Sequence, residues 1–395
     1  MNRIRDIKGC NYLPMAKRSQ DVTLAWLPVN GAPATGLPTT GSDGVFSGSL
    51  LRSELDAIKL AGFNSIRVLG SFMSYYINQA GWRQVLDILV TELRARRMGL
   101  TFQVWSGIPS GSAALAIDVG GGPFLRGAQF LVEISSYLPS TLLSTHWSLA
   151  DAFTASQSAI TPANERWVSF WPEPFASVEW DTQGAYASWA DTKFKAAVTN
   201  YLTDLGAFFS RGAALEVLDS FDLYNEPNVF FADATRKTNV SSFIKTTHDL
   251  IRAQFSNPIN CTVGWAGSGS GLNRPLIAAG VPLTYMSFHT YARSTLSTAI
   301  SEAVAEAGEL PTLITEFYDT RIDSGLIAGY LDVLDAAGIK GYMWCYLMNG
   351  HWPALDGVVR GDGTAATLLQ NQSLTHSTVN SADDNRIRRW TGVAS

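Results

Sequence analysis

The chain of 395 residues has little cysteine and lacks the patterns that cysteine chemistry requires. Its three cysteines, Cys10, Cys261 and Cys345, allow one disulfide bridge at most, which excludes a disulfide-stapled fold. No Cys-x-x-Cys pair occurs, which argues against a metal or redox site built from cysteine.

Long apolar runs are also missing. No stretch reaches the ~18 uninterrupted apolar residues of a membrane span, and residues 1–12 contain no apolar core of signal-peptide length. We therefore expect no membrane partner. For the compartment we expect either the cytoplasm or a secreted mature form without its signal.

Charge of one sign is not in excess. Lys and Arg number 29 against 34 Asp and Glu, a net charge of -5 that gives no electrostatic reason to bind nucleic acid. Hydrophobic residues are 46% and charged residues 16%, a balance typical of a globular chain and not of a disordered one.

Several cofactor and hydrolase motifs are absent as well. Without H-E-x-x-H or a strand-one H-x-H the sequence predicts no zinc hydrolase, and without G-x-S-x-G it predicts no α/β-hydrolase. The glycine-rich run at 267–271 does not match G-x-G-x-x-G, and the glycines at 120–122 lack the Lys-Ser/Thr of a phosphate loop. We expect no metal and no cofactor.

What the sequence does contain is a series of short apolar runs alternating with helical patterns. The runs cover residues 7–13, 63–69, 100–105, 220–224, 261–265, 285–289, 311–317 and 341–347. Such runs are typical of parallel strands buried on both faces, and the helices between them indicate βαβ units. The pattern predicts an α/β fold, a (β/α)₈ TIM barrel with its functional residues at the C-terminal ends of the strands.

We predict one catalytic barrel over residues 1–395, with two segments outside the repeat. Residues 107–192, rich in Gly, Ser, Pro and Trp, form a long insertion between strand 3 and helix 3. Connections of this length usually carry function, so we expect the insertion to shape a cleft wall. Residues 364–395 form a polar C-terminal tail with little pattern.

Two glutamates lie at the ends of apolar runs. Glu226 comes two residues after the fourth run, and Glu316 lies near the end of the seventh. A carboxylic acid at such a place is costly unless the site uses it. Two of them across a barrel mouth can flank one glycosidic bond, one protonating the leaving oxygen while the other attacks the anomeric carbon or activates water. The alternative is a pair of structural acids bonded to helix N-termini or arginine.

The ordered set of strand ends resembles the retaining glycoside hydrolases of the (β/α)₈ clan A, and most of all glycoside hydrolase family 5, which contains cellulases and mannanases. The matching positions are Gly9–Tyr12, Arg67, Asn225-Glu226-Pro227, His289, Tyr291, Glu316 and Trp344. One position departs from the family, which often carries a histidine near the end of strand 3. This chain reads Val-Trp-Ser-Gly at 104–107.

The resemblance implies roles for the central residues. Glu226 would be the general acid/base, with its pKa raised by burial or by a nearby carboxylate. Glu316 would be the nucleophile, held ionised by Arg67 and by a hydrogen bond from Tyr291. Arg67 in a purely structural ion pair is the alternative.

The resemblance also implies substrate contacts. Asn225 would bond the sugar 2-hydroxyl, His289 would bind a substrate hydroxyl or orient a carboxylate, and Trp344 would stack under the sugar at the cleavage point. Trp105 and Trp265, at the ends of strands 3 and 5, are further candidates for sugar contact. For each of these side chains a place in the core or in a turn is the alternative.

We therefore expect a retaining β-glycoside hydrolase whose partner is a carbohydrate, a β-linked glucan or mannan or an oligosaccharide from one. Its carboxyl groups should lie roughly 5–5.5 Å apart. One alternative is an exo-acting enzyme of the same clan resembling a β-galactosidase, β-mannosidase or β-glucosidase, favoured if the insertion blocks one end of the cleft. Another is a non-catalytic carbohydrate-binding barrel, although such a module needs no pair of facing acids.

Overall fold

A computed structural model places the predicted elements in space. It describes residues 3–12, 48–60, 62–70, 72, 75, 79–105, 192–230, 234–269, 271–317, 327–343 and 389–392. The predicted insertion therefore lies outside the described residues except for its last residue, Thr192. Of the predicted tail, only residues 389–392 lie inside them.

Eight parallel strands form a closed barrel in chain order. They are β1 (Lys8–Tyr12), β2 (Ser65–Leu69), β3 (Gly99–Gln103), β4 (Leu218–Asn225), β5 (Cys261–Ala266), β6 (Met286–Thr290), β7 (Thr312–Phe317) and β8 (Lys340–Met343). Strand β1 pairs with β8 as well as with β2, so the sheet closes on itself. Each strand overlaps one predicted run, and the predicted (β/α)₈ barrel is confirmed.

Helices follow the strands along the chain. Within the described residues they are α1 (Gly48–Leu60), α2 (Gln79–Ala95), α3 (Thr192–Phe209), α4 (Gly212–Val217), α5 (Ala234–Arg252), α6 (Arg274–Ala278), α7 (Arg293–Ala307) and α8 (Ile327–Ala336). In α2 the apolar residues from Trp82 to Leu93 recur at helical spacing and form one buried face. In this part of the chain no helix has the length and apolar character needed to cross a membrane.

Side chains of the strands alternate between the layer under the helices and the barrel interior. In β2, Ile66 and Val68 belong to the apolar core, whereas Ser65 and Arg67 form hydrogen bonds to other strands across the interior. The interior of this barrel is therefore polar.

A chain of buried hydroxyl groups fills the lower part of the interior. Ser65, Tyr342, Thr101, Ser220 and Tyr285 are joined in that order by hydrogen bonds of 3.0, 2.7, 2.9 and 2.8 Å. Because every member has a partner, the polar groups of this chain are satisfied by one another. It forms a packed floor beneath the next layer of strand residues.

The end of the chain joins the hydrophobic core. Trp390 is 1% exposed, and its ring lies 6.3 Å from that of Phe63 and 6.0 Å from that of Phe317, both in edge-to-face geometry. Trp390 lies in the segment that the sequence predicts as a polar tail, but its side chain is buried. The burial of one large aromatic side chain has more effect here than the polar character of its neighbours.

Candidate active site

Most of the predicted site residues meet in the barrel interior, at the C-terminal ends of the strands. They are Arg67, Asn225, Glu226, His289, Tyr291 and Glu316, and hydrogen bonds or ion pairs connect them. Trp344 directly follows β8 and lies outside the described residues. The layer of charged groups sits above the hydroxyl floor.

Arg67, on β2 and wholly buried, holds two carboxylates at once. Its Nη1 donates to Glu316 Oε1 at 2.8 Å and to Asn11 Oδ1 at 2.7 Å, while Nε and Nη2 donate to Asp222 Oδ2 at 2.9 and 2.6 Å. Burial alone would lower the pKa of Arg67, but the two carboxylates raise it above its ordinary value. The guanidinium is a permanent cation.

Glu316, on β7, is 3% exposed and accepts hydrogen bonds from the two donors that the family resemblance implies for it, Arg67 and the Tyr291 hydroxyl. Burial raises the pKa of this carboxyl above its ordinary value, and His289, Arg67 and the Tyr291 hydrogen bond act against the rise. The donors thus keep the ionised form accessible in a site where burial opposes it.

Glu226 follows β4 directly and is less enclosed, with 24% of its side chain exposed. Its backbone has a φ of 50°, an uncommon left-handed conformation for a residue other than glycine, and its N–H donates to the Gly264 carbonyl at 2.6 Å. Burial raises its pKa to about 7, although Arg67 opposes the rise. This carboxyl keeps its proton through the acidic range.

His289, on β6, lies between the two acids. Its Nδ1 is 2.8 Å from Glu226 Oε1, and its Nε2 is 3.6 Å from Glu316 Oε1. Burial lowers the pKa of His289 to about 4, so the imidazole is neutral at pH 7 and has one N–H for two carboxyl groups. Gly264 leaves the necessary room, because a Cβ there would be 2.6 Å from His289 Nε2.

The two glutamates therefore differ in their partners. Glu316 is bonded to a permanent cation, whereas Glu226 is bonded to a neutral imidazole. The cation favours the ionised form of Glu316, and among the described residues Glu226 has no such partner in direct contact. One oxygen of Glu226 lies within 4.8 Å of one oxygen of Glu316, so two carboxyls with different hydrogen-bond partners face each other.

Three further polar residues belong to this network and have no role in the sequence-based prediction: Asn11, Asp222 and Gln103. Asp222 accepts from Arg67 and also from the Gly264 N–H, at 3.0 Å. Gln103 Nε2 donates to Asn225 Oδ1 at 2.8 Å. The available signal was a polar residue inside an apolar strand, as in the Phe-Asp-Leu of β4 and the Phe-Gln-Val at the end of β3.

The structure contradicts the predicted sugar contacts of Trp105 and Trp265. Both are wholly buried, and their indole N–H groups donate to Thr247 and Asn273. Trp265 alternates with the inward-facing Gly264 and therefore faces the helices. Trp105 follows the last residue of β3 and packs at 5.3 Å against Phe243 of α5.

A metal ion does not suit this cluster. Glu226, His289 and Glu316 are the one group in the described part of the chain whose side chains could offer three ligand atoms. However, Arg67 Nη1 lies 2.8 Å from Glu316 Oε1, so a divalent cation would be held beside a permanent positive charge.

Comparison with known proteins shows the fold of the chain. GH5_18 from Streptomyces cattleya, solved with GlcNAc, is 14% identical with a TM-score of 0.52, covering 97% of this chain and 79% of that one. The endo-beta-1,4-mannanase from Thermotoga petrophila is 12% identical with a TM-score of 0.53, covering 99% and 78%. A GH5-4 broad specificity endoglucanase from an uncultured bacterium is 15% identical with a TM-score of 0.50, covering 99% and 95%. No protein-family model and no curated protein matches the sequence.

Proposed function

We propose that this protein is a retaining β-glycoside hydrolase, similar to those of family 5, that acts on β-linked glucan or mannan chains or their oligosaccharides. The observation that carries the proposal is the pair Glu226 and Glu316, whose carboxyls approach each other across the barrel mouth, Glu316 bonded to the Arg67 cation and Glu226 to His289. The solved structures with the same fold include a mannanase and an endoglucanase, which supports a β-glycan substrate. The low sequence identity leaves the choice of sugar to experiment.

In the first step Glu226 transfers its proton to the glycosidic oxygen as the bond from that oxygen to the anomeric carbon breaks. A Glu316 oxygen forms a bond to the same carbon, which gives an ester between sugar and enzyme. In the second step the ionised Glu226 takes a proton from water. The water oxygen then bonds to the anomeric carbon and displaces Glu316, which restores both acids.

The spacing of the acids supports retention. Inverting enzymes hold their carboxyl groups roughly 6.5–9.5 Å apart, because a water molecule must fit between acid and sugar. Here an oxygen of Glu226 lies within 4.8 Å of an oxygen of Glu316. Such a close approach of the two carboxyls supports direct attack by Glu316 on the anomeric carbon.

The remaining contacts position the sugar in this proposal. Asn225, beside the acid, would bond the 2-hydroxyl, and Tyr291 would keep the nucleophile oriented through its hydrogen bond to Glu316. We keep Trp344, which follows β8, as the proposed stacking surface. His289, in direct contact with Glu226, would orient the acid and not the sugar.

Two other functions were open from the sequence. The exo-acting enzyme depended on residues 107–192, and apart from Thr192 these lie outside the described residues, so nothing in the structure favours it. A non-catalytic carbohydrate-binding barrel would have no chemical use for two buried glutamates and a buried arginine. Such buried charged groups destabilise a fold, so their presence argues against this function.

Hydrolysis of cello-, manno- and galacto-configured β-oligosaccharides and aryl β-glycosides, followed by ¹H NMR, tests the proposal. We expect the β-anomer of the product to appear first. Glu226→Gln and Glu316→Gln should each lower the rate by about 10²- to 10⁴-fold, whereas the exposed Glu309→Gln should not. Release of the α-anomer first would establish inversion, and full activity in both site variants would exclude the proposed mechanism.

A further inference from the structure

Gln103 is a wholly buried amide on β3, next to the site. Its Nε2 donates to Asn225 Oδ1 at 2.8 Å, and Arg67 Nη2 approaches the same oxygen at 3.4 Å. Arginine can only donate hydrogen bonds, so the atom of Asn225 that faces Arg67 is its oxygen. The contact with Arg67 thus identifies which atom of the Asn225 amide faces inward, and the shorter hydrogen bond from Gln103 holds the amide in that orientation.

The orientation has a consequence for Asn225. With Oδ1 turned toward Gln103 and Arg67, the Nδ2 group is on the other side of the amide and remains available as a donor. Asn225 immediately precedes Glu226, so this donor belongs to the acid end of the site. A sugar hydroxyl beside the scissile bond is a suitable acceptor.

A second observation separates Gln103 from an ordinary core residue. Its Oε1 is buried, and among the described residues no donor reaches it. A buried acceptor without a donor destabilises a fold, and an apolar side chain of similar size would avoid that cost. Groups of this kind are typical of functional sites, where the fold gives up stability for a fixed geometry.

We propose that Gln103 is a positioning residue that turns the Asn225 amide so that Nδ2 meets the sugar 2-hydroxyl. The inference rests on the proposed glycosidase function and adds a residue to its site. Because the hydrogen bond to the 2-hydroxyl strengthens in the transition state, losing it lowers kcat more than it changes KM. Gln103 itself does not touch the substrate.

The test is Gln103→Met, measured on an aryl β-glycoside and on its 2-deoxy analogue. We expect kcat on the complete sugar to fall about 10- to 100-fold with little change in KM, as for a small displacement of a site residue. The 2-deoxy substrate should lose much less, since it lacks the hydroxyl. The thermal unfolding midpoint should stay the same or rise, because the buried acceptor without a donor is gone.

Thr101→Val is the matched control. Thr101 is the preceding inward-facing residue of β3, and it is bonded to the Ser220 and Tyr342 hydroxyls and not to the glutamates. It should lower the unfolding midpoint while leaving the ratio of the two substrates as in the wild type. If Gln103→Met does not fold, Gln103→Asn, whose amide is one methylene too short to reach Asn225, should show the same selective loss.

The outcomes separate this inference from the proposed function. In an Asn225→Ala background, Gln103→Met should cause no further loss on the complete sugar. If an active wild type loses the same factor on both substrates in Gln103→Met, Gln103 is merely structural and the inference fails while the glycosidase function stands. If the wild type hydrolyses no β-glycoside at all, both the proposed function and this inference fail.

Discussion

At the scale of single residues, the two glutamates of the site differ because only Glu316 is bonded to a positively charged side chain. Arg67 is shared by Asp222 and Glu316, so one positive charge serves two carboxylates. Glu226 is bonded to the neutral His289 instead, and burial raises its pKa to about 7. Two chemically identical side chains can therefore act as acid and as nucleophile.

The raised pKa of Glu226 predicts how stability depends on pH. The folded protein binds a proton at Glu226 up to about pH 7, whereas the unfolded chain releases it near pH 4.5. Between these values the folded state binds more protons, so the free energy of unfolding decreases as pH rises. Glu226→Gln should match the wild type near pH 4 and exceed it near pH 8 by up to roughly 3 kcal/mol.

Urea unfolding at the two pH values checks this prediction. The exposed Glu309→Gln serves as the control and should change the free energy of unfolding by the same small amount at both. An equal effect of Glu226→Gln at pH 4 and pH 8 would show that the folded protein does not hold the Glu226 proton more tightly than the unfolded chain does.

The same group predicts the alkaline side of the rate profile. Glu226 must carry a proton to act as acid, so kcat/KM should decrease above about pH 7. An aryl glycoside with a leaving group of low pKa needs little protonation, and its bond-breaking step should lose less at high pH. A decrease of equal size for good and poor leaving groups would place the titration on another residue.

The charged residues at strand ends could be predicted from the sequence, because an acid or arginine in an apolar strand is exceptional. The network behind them could not, since the partners Asn11, Gln103 and Asp222 lie on different strands and meet only after the barrel closes. The direction of the Glu316 pKa was also out of reach. It depends on the balance between burial and two donors, which only the three-dimensional arrangement supplies.

At the scale of elements, strand β5 leaves room for a side chain of its neighbour β6 because it has glycine at position 264. A Cβ on Gly264 would lie 2.6 Å from His289 Nε2 and 3.2 Å from Asp222 Oδ2. Both groups are held by buried hydrogen bonds and cannot retreat freely. The glycine is thus required by the site more than by the backbone of the strand.

Gly264→Ala should therefore displace His289 from Glu226 and lower kcat, by about 10²-fold for a displacement near 1 Å. Gly269→Ala, in the loop after the same strand, is the control, because no atom lies within 4 Å of its added Cβ. Steady-state kinetics of the two variants give the answer. Equal activity in both would mean that the imidazole position does not matter for the reaction.

The strands could be predicted because apolar runs of this length have few other interpretations between helices. The direction of the tryptophans at their ends could not be predicted as reliably. Alternation along β5 indicates that Trp265 faces the helices, but Trp105 stands past the last residue of β3, where alternation no longer applies. Its ring packs against Phe72, Tyr201 and Phe243.

At the scale of the whole molecule, residues far apart in sequence complete one core. Trp390 packs on Phe63, before β2, and on Phe317, at the end of β7. Trp390 thereby contacts residues on both sides of the β8–β1 pair that closes the barrel. No pattern in the sequence predicts this contact.

Trp390→Ala should lower the free energy of unfolding by about 3–5 kcal/mol, the usual cost of removing a buried tryptophan. Leu60→Ala, at a side chain that is 67% exposed, should change it by less than about 0.5 kcal/mol. Chemical denaturation measures both. A loss for Trp390→Ala no larger than that for Leu60→Ala would show that the terminal segment does not support the barrel.

The central claim is that Glu316 forms a covalent bond to the sugar, and intact-protein mass spectrometry after incubation with 2-deoxy-2-fluoro β-glycosides tests it most directly. With activated glycosides of glucose, mannose and galactose, and with their cello- and manno-oligosaccharide counterparts, we predict an adduct of one glycosyl unit. Peptide mapping should place it on Glu316, and Glu316→Gln should abolish it. An adduct on another residue, or none with any sugar while the enzyme hydrolyses the parent glycoside, would contradict the account.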